Sequence, residues 1–252
     1  MFNILLYVRF SKILNIIMTK ILFVIPARSG SKGIKDKNIQ FCGEETLLRR
    51  SIKICKSLSL FSDIFVSTDS KKYLEHVEDL IHNPPFLRPK YLSGDLVGDI
   101  EVLINSLHIC ENFFQTNYSC VVMIQPTCPL RQTKHILETI KAVVEEDYDA
   151  AITCQKVDKK YHPLKSLKLT DSGYLENYIN HKEEIIARQQ LDNTYIRNGA
   201  SYSITPKQLC IGRNFFKCKS KLILTEAMIS IDNHEELKHC ESLILNNENY
   251  KI

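Results

Sequence analysis

The chain has 252 residues, of which 44% are hydrophobic and 25% charged, and carries a net charge of +4. This length accommodates one α/β domain with an excursion, or two small domains, and the balance excludes both a disordered chain and a membrane-spanning one. The charge is small and no basic run is longer than three residues, so no nucleic-acid partner is expected.

Residues 1–17 are apolar but broken by Arg9 and Lys12. They are too short to span a bilayer and lack the charged start and small-residue cleavage site of a secretory signal. The expectation is an N-terminal extension outside the fold, with an interfacial anchor as the lesser alternative, and a domain occupying 18–252. Nine cysteines are scattered without a C-x-x-C pair, several within apolar runs. Such spacing suggests reduced core thiols in a cytoplasmic protein. Eight histidines are equally dispersed and form no zinc pattern.

The first strong element is 21–25, five apolar residues rich in β-branched types, which reads as a buried strand. Pro26 ends it, because proline cannot donate to a central ladder. A loop follows that combines Gly30 and Gly33 with Arg28, Lys32, Lys35 and Lys37. Glycines let backbone wrap closely around an anion, and the cations add charge where phosphates would sit. Neither a Walker A loop nor G-x-G-x-x-G is present. A basic loop at the carboxyl end of a parallel strand has the shape of a polyphosphate site.

Residues 44–58 place Leu47, Leu48, Ile52 and Cys55 on one helical face, predicting the first crossover helix. A strand at 63–67 follows, and Ser70 reads as the N-cap of a helix over 71–80. Two adjacent prolines, Pro84 and Pro85, open an extended loop that runs to Pro89. A helix is expected from Asp99 to Phe114 and a buried strand at 119–124. That strand runs into Gln125, Pro126 and Pro129, a rigid loop of the kind that binds ligands in open sheets. A helix over 133–146 and a strand at 150–153 complete this part. Residues 155–190 lose the βα rhythm and read as an excursion. Strands at 201–204 and 222–224 follow, and Asn233 caps a last helix with Glu236 as capping-box partner. The alternation predicts a three-layer α/β/α domain with a mostly parallel sheet.

Several ordered blocks resemble the acylneuraminate cytidylyltransferase family, which includes the legionaminic and pseudaminic acid enzymes. Its I-P-A-R-x-x-S-K-G-[IL]-x-x-K-N loop is matched by Ile25, Pro26, Ala27, Arg28, Ser31, Lys32, Gly33, Ile34, Lys37 and Asn38. Ser67, Thr68, Asp69 and Ser70 are similar to its S-T-D-[DS]. Phe86, Arg88, Pro89, Leu92, Ser93 and Asp95 match its F-x-R-P and L-[AS]-x-D. Gln125 to Arg131 resembles Q-P-T-S-P-L-R, with Cys128 in place of serine. Arg188, Gln189 and Gln190 resemble an R-Q-x segment, and Asn198, Gly199 and Ala200 match N-G-A.

The resemblance implies a Rossmann-like nucleotidyltransferase with a small dimerisation arm at about 155–190, working as a cytoplasmic homodimer. It implies transfer of CMP from CTP to a nine-carbon 2-keto sugar acid, releasing pyrophosphate. Ala27, Arg28, Ser31, Lys32, Gly33, Lys37, Asn38, Asp69 and Arg88 would bind the nucleotide, and Arg28, Lys37 and Asp232 would serve catalysis. Gln125, Arg131, Arg188, Gln189, Asn198 and Gly199 would hold the sugar. Asp69 also fits simple turn chemistry, Arg88 a loop-fixing role, and Gly199 a strand bulge. The family pairs two aspartates around Mg²⁺ late in the chain; here the first is Ser230 and only Asp232 remains. One carboxylate with phosphates and water can hold Mg²⁺ more weakly. The alternatives are another sugar nucleotidyltransferase, such as one using the eight-carbon acid Kdo, or a catalytically weak nucleotide-binding relative.

Overall fold

In the computed structural model, the described residues are 19–180, 187–212, 214–247 and 250. The extension at 1–17 and part of the excursion, 181–186, therefore lie outside the described residues. The first strand, β1 (Ile21–Pro26), shows why the fold centres on it. Ile21 to Ile25 are all completely buried. Ile21, Phe23 and Ile25 enter one apolar cluster, and Leu22 and Val24 enter another on the opposite face. The two-residue period of a strand divides the run between two layers.

A small hairpin follows, β2 (Phe41–Cys42) and β3 (Glu45–Thr46), turning at Gly43 with φ +75°. The helix α1 (Leu47–Ser57) starts three residues later than its periodicity predicts, because Glu45 and Thr46 pair in the hairpin and the Thr46 hydroxyl accepts from the Arg49 N–H. Its face of Leu47, Leu48, Ile52 and Cys55 is buried as expected. Next come β4 (Ser62–Ser67) and α2 (Lys71–Glu75). The helix expected over 71–80 is corrected to this short one. Beyond Glu75 the chain tightens into turns, with Val77 donating to the Leu74 carbonyl and Leu80 to that of Val77. The Ser70 side chain makes no capping bond.

The helix α3 (Asp99–Phe114) has the expected bounds. It leads to β5 (Cys120–Met123), α4 (Thr133–Val144) and β6 (Ala150–Lys156). Between Lys156 and Tyr195 the chain leaves the main sheet, and there it forms a separate hairpin of β7 (Leu167–Leu169) and β8 (Leu175–Asn177). It returns as β9 (Tyr195–Ile204), followed by α5 (Pro206–Cys210), β10 (Ser220–Leu224) and α6 (His234–Asn246). The Asn233–Glu236 capping box at the start of α6 is present.

The main sheet has the order β10-β6-β9-β5-β1-β4. Its pairs are parallel except those of β9, which runs antiparallel between β5 and β6. Helices α1 and α4 cover one face, while α3 and α5 cover the other. A third apolar cluster joins Ile34 of the basic loop, Leu130 and Ile231 to Leu237, Cys240 and Ile244 of α6. It ties the loop after β1 to the segment carrying Asp232. All nine cysteines are free and seven are buried. Among the described residues no helix is long and apolar enough to cross a membrane.

Candidate active site

The carboxyl ends of β1 and β5 and the loop from Arg88 to Val97 meet at a cleft of about 460 Å³. The loop after β1 forms its floor and is held both by its neighbours and from within. Asp69, just past β4, accepts from the Ser29 N–H at 2.8 Å and the Ser29 hydroxyl at 3.1 Å. Buried Asn38 donates to the Arg28 carbonyl at 3.1 Å, and Ala27 donates backbone to the Ser67 carbonyl. Gly33 packs so closely against the Asp232 segment that a Cβ there would lie 2.1 Å from the Asp232 carbonyl oxygen. Only glycine permits that approach.

Three of the loop's four cations, Arg28, Lys32 and Lys37, are each engaged by a carboxylate. The Asp95 carboxylate takes Arg28 and Lys32, each at 2.5 Å. The Lys32 hydrogen bond first, and then that of Arg28, hold the Asp95 carboxyl below the usual carboxylate range. Lys37 donates to the Ile231 carbonyl at 2.8 Å and to Asp232 Oδ1 at 2.9 Å. Its side chain is only 13% exposed, whereas that of Asp232 is 77% exposed. The loop after β5 positions this pair from the other side, because the Thr127 carbonyl accepts from the Ile231 N–H at 2.8 Å.

Among the residues expected to bind nucleotide, Arg28, Ser31, Lys32, Gly33, Lys37, Asn38 and Arg88 line the cleft, together with Gln125 and Asp232. Ala27 and Asp69 support the loop from behind. Arg88 is 7% exposed and its guanidinium donates to the Ser67 hydroxyl and carbonyl. Burial pulls that guanidinium down to about 10. Its geometry favours the loop-fixing role over a free cation.

Arg131, expected to hold the sugar acid, is placed differently from the cations of the loop. It is 3% exposed and lies outside the cleft lining. Its guanidinium donates to the Ala200 carbonyl, the Ser51 hydroxyl and the Gln125 carbonyl. Burial lowers its proton affinity, and its work is to lock Gln125 against β9. Asn198 likewise turns inward, donating to the Thr225 hydroxyl and accepting from the Ala200 N–H. Gly199 has φ +75° and sits at the register shift between β6 and β9, so the bulge is present. Arg188 and Gln189 are exposed on the excursion, outside the cleft.

Two acidic groups in the lining, Asp95 and Asp99, are absent from the set that sequence reasoning nominated. Asp95 falls within the L-S-x-D match and carried its own signal; Asp99 read only as a helix start. A hard divalent cation needs several oxygen ligands. Among the described residues no cluster of three His, Cys, Asp or Glu is placed to hold a metal, and Asp232 already accepts from Lys37. The donor set fits a Mg²⁺ ion carried largely by phosphates, with one protein carboxylate added.

A family model described as Cytidylyltransferase matches residues 22–204, running from β1 through β9 and including the loops after β1 and β5. The chain is 29% identical over 220 residues to the N-acylneuraminate cytidylyltransferase of Streptococcus agalactiae serotype V, covering 86% of this chain and 51% of that protein. It thus spans about half the length of that relative. It is 29% identical over 223 residues to the CMP-N,N'-diacetyllegionaminic acid synthase of Legionella pneumophila, covering 84% of this chain and 90% of that one. A solved CMP:2-keto-3-deoxy-manno-octonic acid synthetase complexed with CTP superposes with a TM-score of 0.66 at 12% identity, over 90% of this chain and 99% of that chain. That likeness is one of fold. With the family's residues converging on one cleft of that fold, the chain belongs to the cytidylyltransferase family.

Proposed function

We propose that the protein transfers CMP from CTP to a nonulosonic, sialic-type acid. The observation that carries this reading is the convergence of Arg28, Lys32 and Lys37 with Gln125 and Asp232 on one cleft. The anomeric hydroxyl of the sugar attacks the α-phosphorus in line. A new C–O–P bond forms, the bond from the α-phosphorus to the bridging oxygen breaks, and pyrophosphate leaves while the hydroxyl proton passes to solvent. The chain's work is positioning and charge neutralisation, as in phosphoryl transfer generally. Arg28 and Lys32 exchange Asp95 for phosphate oxygens, and Lys37 meets the charge that develops on the leaving group. Ser31 orients the phosphates, and Gln125 offers its amide to the sugar. Asp232, with the phosphates, would hold Mg²⁺, which supplies Lewis-acid polarisation when bound.

The reading extends to a homodimer in the cytoplasm, where CTP is made. The β7–β8 hairpin presents Leu167, Leu169, Tyr174 and Leu175, all exposed. An apolar group of this kind is suited to a second copy of the chain. Arg188 and Gln189 lie on the same excursion and would serve the partner's cleft.

The test is pyrophosphate release from CTP and Mg²⁺ with N-acetylneuraminic, legionaminic, pseudaminic and Kdo acids. Release with a nine-carbon acid is expected. If no acid gives release while CTP still raises the melting temperature, the protein is a nucleotide binder, and loss of the metal pair at Ser230 is the suspected cause.

A further inference from the structure

One edge of the main sheet is covered only in part. Strand β4 pairs with β1 and with no other strand, so the N–H and C=O groups of alternate residues point out of the sheet. The Val66 N–H donates outward to Asn83 Oδ1 at 2.7 Å, and the Thr68 carbonyl accepts from the Arg88 N–H. The Ser67 carbonyl instead accepts from the Ala27 N–H, on the β1 side. Ile64 therefore turns its backbone outward as Val66 does, and among the described residues nothing bonds to it there. A groove of about 340 Å³ runs along this stretch, with walls from Cys55 of α1, Phe114 of α3, Leu60, Ile64 and Ile81. It lies at the amino end of β4, away from the cleft at the carboxyl ends of β1 and β5.

The chain enters the fold at the rim of this groove. Lys20 Nζ meets Asp63 at 2.9 Å and lies 5.1 Å from the centre of the Phe61 ring, and the Ile21 N–H donates to the Phe61 carbonyl. The N-terminal extension is joined to the domain at this point. In it Ile4, Leu6, Val8 and Phe10 alternate with Leu5, Tyr7 and Arg9, a two-residue period that gives an extended segment one wholly apolar face. The position beyond β4 is two strand spacings from β1, about 10 Å. Roughly three or four extended residues cover that distance, and residues 11–19 supply nine. A short connection of this kind delivers the segment antiparallel to β4. We propose that residues 4–10 of this chain add as an antiparallel strand to the free edge of β4, bonding the backbone of Ile64 and filling the groove. Main-chain bonds supply the affinity and the apolar walls select the face, as in strand addition generally. A second copy of the chain carries the same residues, but tethering at the rim gives the chain's own segment an effective concentration on the order of millimolar.

The test is hydrogen–deuterium exchange of backbone amides read residue by residue, which needs neither nucleotide nor sugar acid. In the full chain the Ile64 amide is expected to exchange roughly tenfold or more slowly than in a chain that starts at Met18. The Val66 amide, held by Asn83, is expected to be unchanged. The full-length double variant Leu6→Asp, Val8→Asp puts charge on the apolar face, so Ile64 should exchange as fast in it as in the shortened chain. Slow exchange across β1 checks that each form is folded, and if the shortened chain fails that check the double variant still decides. Equal Ile64 exchange in the full and shortened chains overturns the proposal, as does protection that survives the double substitution. Protection in the full chain that fades on dilution means that a second copy fills the groove, and overturns the assignment to the chain's own segment.

Discussion

Gly199 and Gln125 are in such close contact that a Cβ on the glycine would lie 2.3 Å from Gln125 Oε1. The glycine also holds φ +75°, a region that side chains rarely adopt. Gly199→Ala therefore costs about 1–3 kcal/mol of backbone strain and drives the Gln125 amide out of place. Turnover is expected to fall more than thermal stability does. The double variant Gly199→Ala, Gln125→Ala removes the clashing amide, so it should recover part of the lost melting temperature and none of the lost turnover. Normal turnover in the single variant would show that Gln125 has no part in the site.

Lys37 links two segments that are far apart in sequence. Its ammonium donates to the Ile231 carbonyl and to Asp232, so it is both a support and a charge. Lys37→Ala should lower stability by about 1–2 kcal/mol through the lost buried hydrogen bond and turnover by roughly two orders of magnitude or more through lost charge stabilisation. Lys37→Met keeps the packing volume, which allows the two effects to be separated. Near-normal pyrophosphate release by a folded Lys37→Met protein would refute the charge role.

Asp95 engages both Arg28 and Lys32, as a phosphate would. An incoming triphosphate must displace it. Asp95→Asn removes the competing charge while keeping the shape, and is expected to tighten CTP binding several-fold at low salt, with the gain shrinking as salt screens the exchange. Weaker binding in Asp95→Asn would mean instead that Asp95 holds the two cations in the geometry the nucleotide needs.

Much of this was legible from the sequence for a physical reason. Local periodicity and strand-end loops carry their own signals, so β1, α3, the basic loop and the Asn233–Glu236 cap could all be read directly. What was not legible depends on where a long side chain finally points. Arg131 sits in a ligand-like loop, yet its donors are taken by Ala200, Ser51 and Gln125, contacts that exist only after β9 inserts beside β5. Asp99 read only as the start of a helix, because its place in the cleft depends on the loop from Arg88 folding across it. The end of α2 was placed too late because the chain past Glu75 takes turns that the apolar pattern does not distinguish from helix.

Acid should destabilise the protein through His135. This histidine is 2% exposed, accepts from the Gln132 N–H and faces Glu226. Burial lowers its proton affinity from the ordinary 6.5, with the Glu226 hydrogen bond only partly opposing. His76 is lowered too, again by burial first. Below the ordinary value the unfolded chain binds protons that the folded chain refuses, so stability is full above that pH and is lost as pH falls through the folded values. The melting temperature should thus decline as pH falls below the ordinary histidine value of 6.5, and His135→Gln should make the decline shallower. An unaltered pH slope in that variant would exclude His135 as a source.

Ser230 tests how little protein a metal needs here. Between Ser230 and Asp232 only Asp232 offers a carboxylate, and its Oδ1 accepts from Lys37. Ser230 is exposed two residues earlier, with buried Ile231 between them. Alternate residues of an extended segment share a side, so Ser230→Asp would add a second hard oxygen ligand next to the first. Magnesium is held by one or two carboxylates plus phosphates. The variant is therefore expected to reach half-maximal pyrophosphate release at a several-fold lower Mg²⁺ concentration with CTP saturating, and to bind Mn²⁺ measurably by calorimetry without nucleotide. Lys37 should keep its bond to the Ile231 carbonyl, so the phosphate contacts and the CTP affinity should change little. A metal titration that matches the wild type would place the ion away from Asp232 and leave that residue the single task of orienting Lys37.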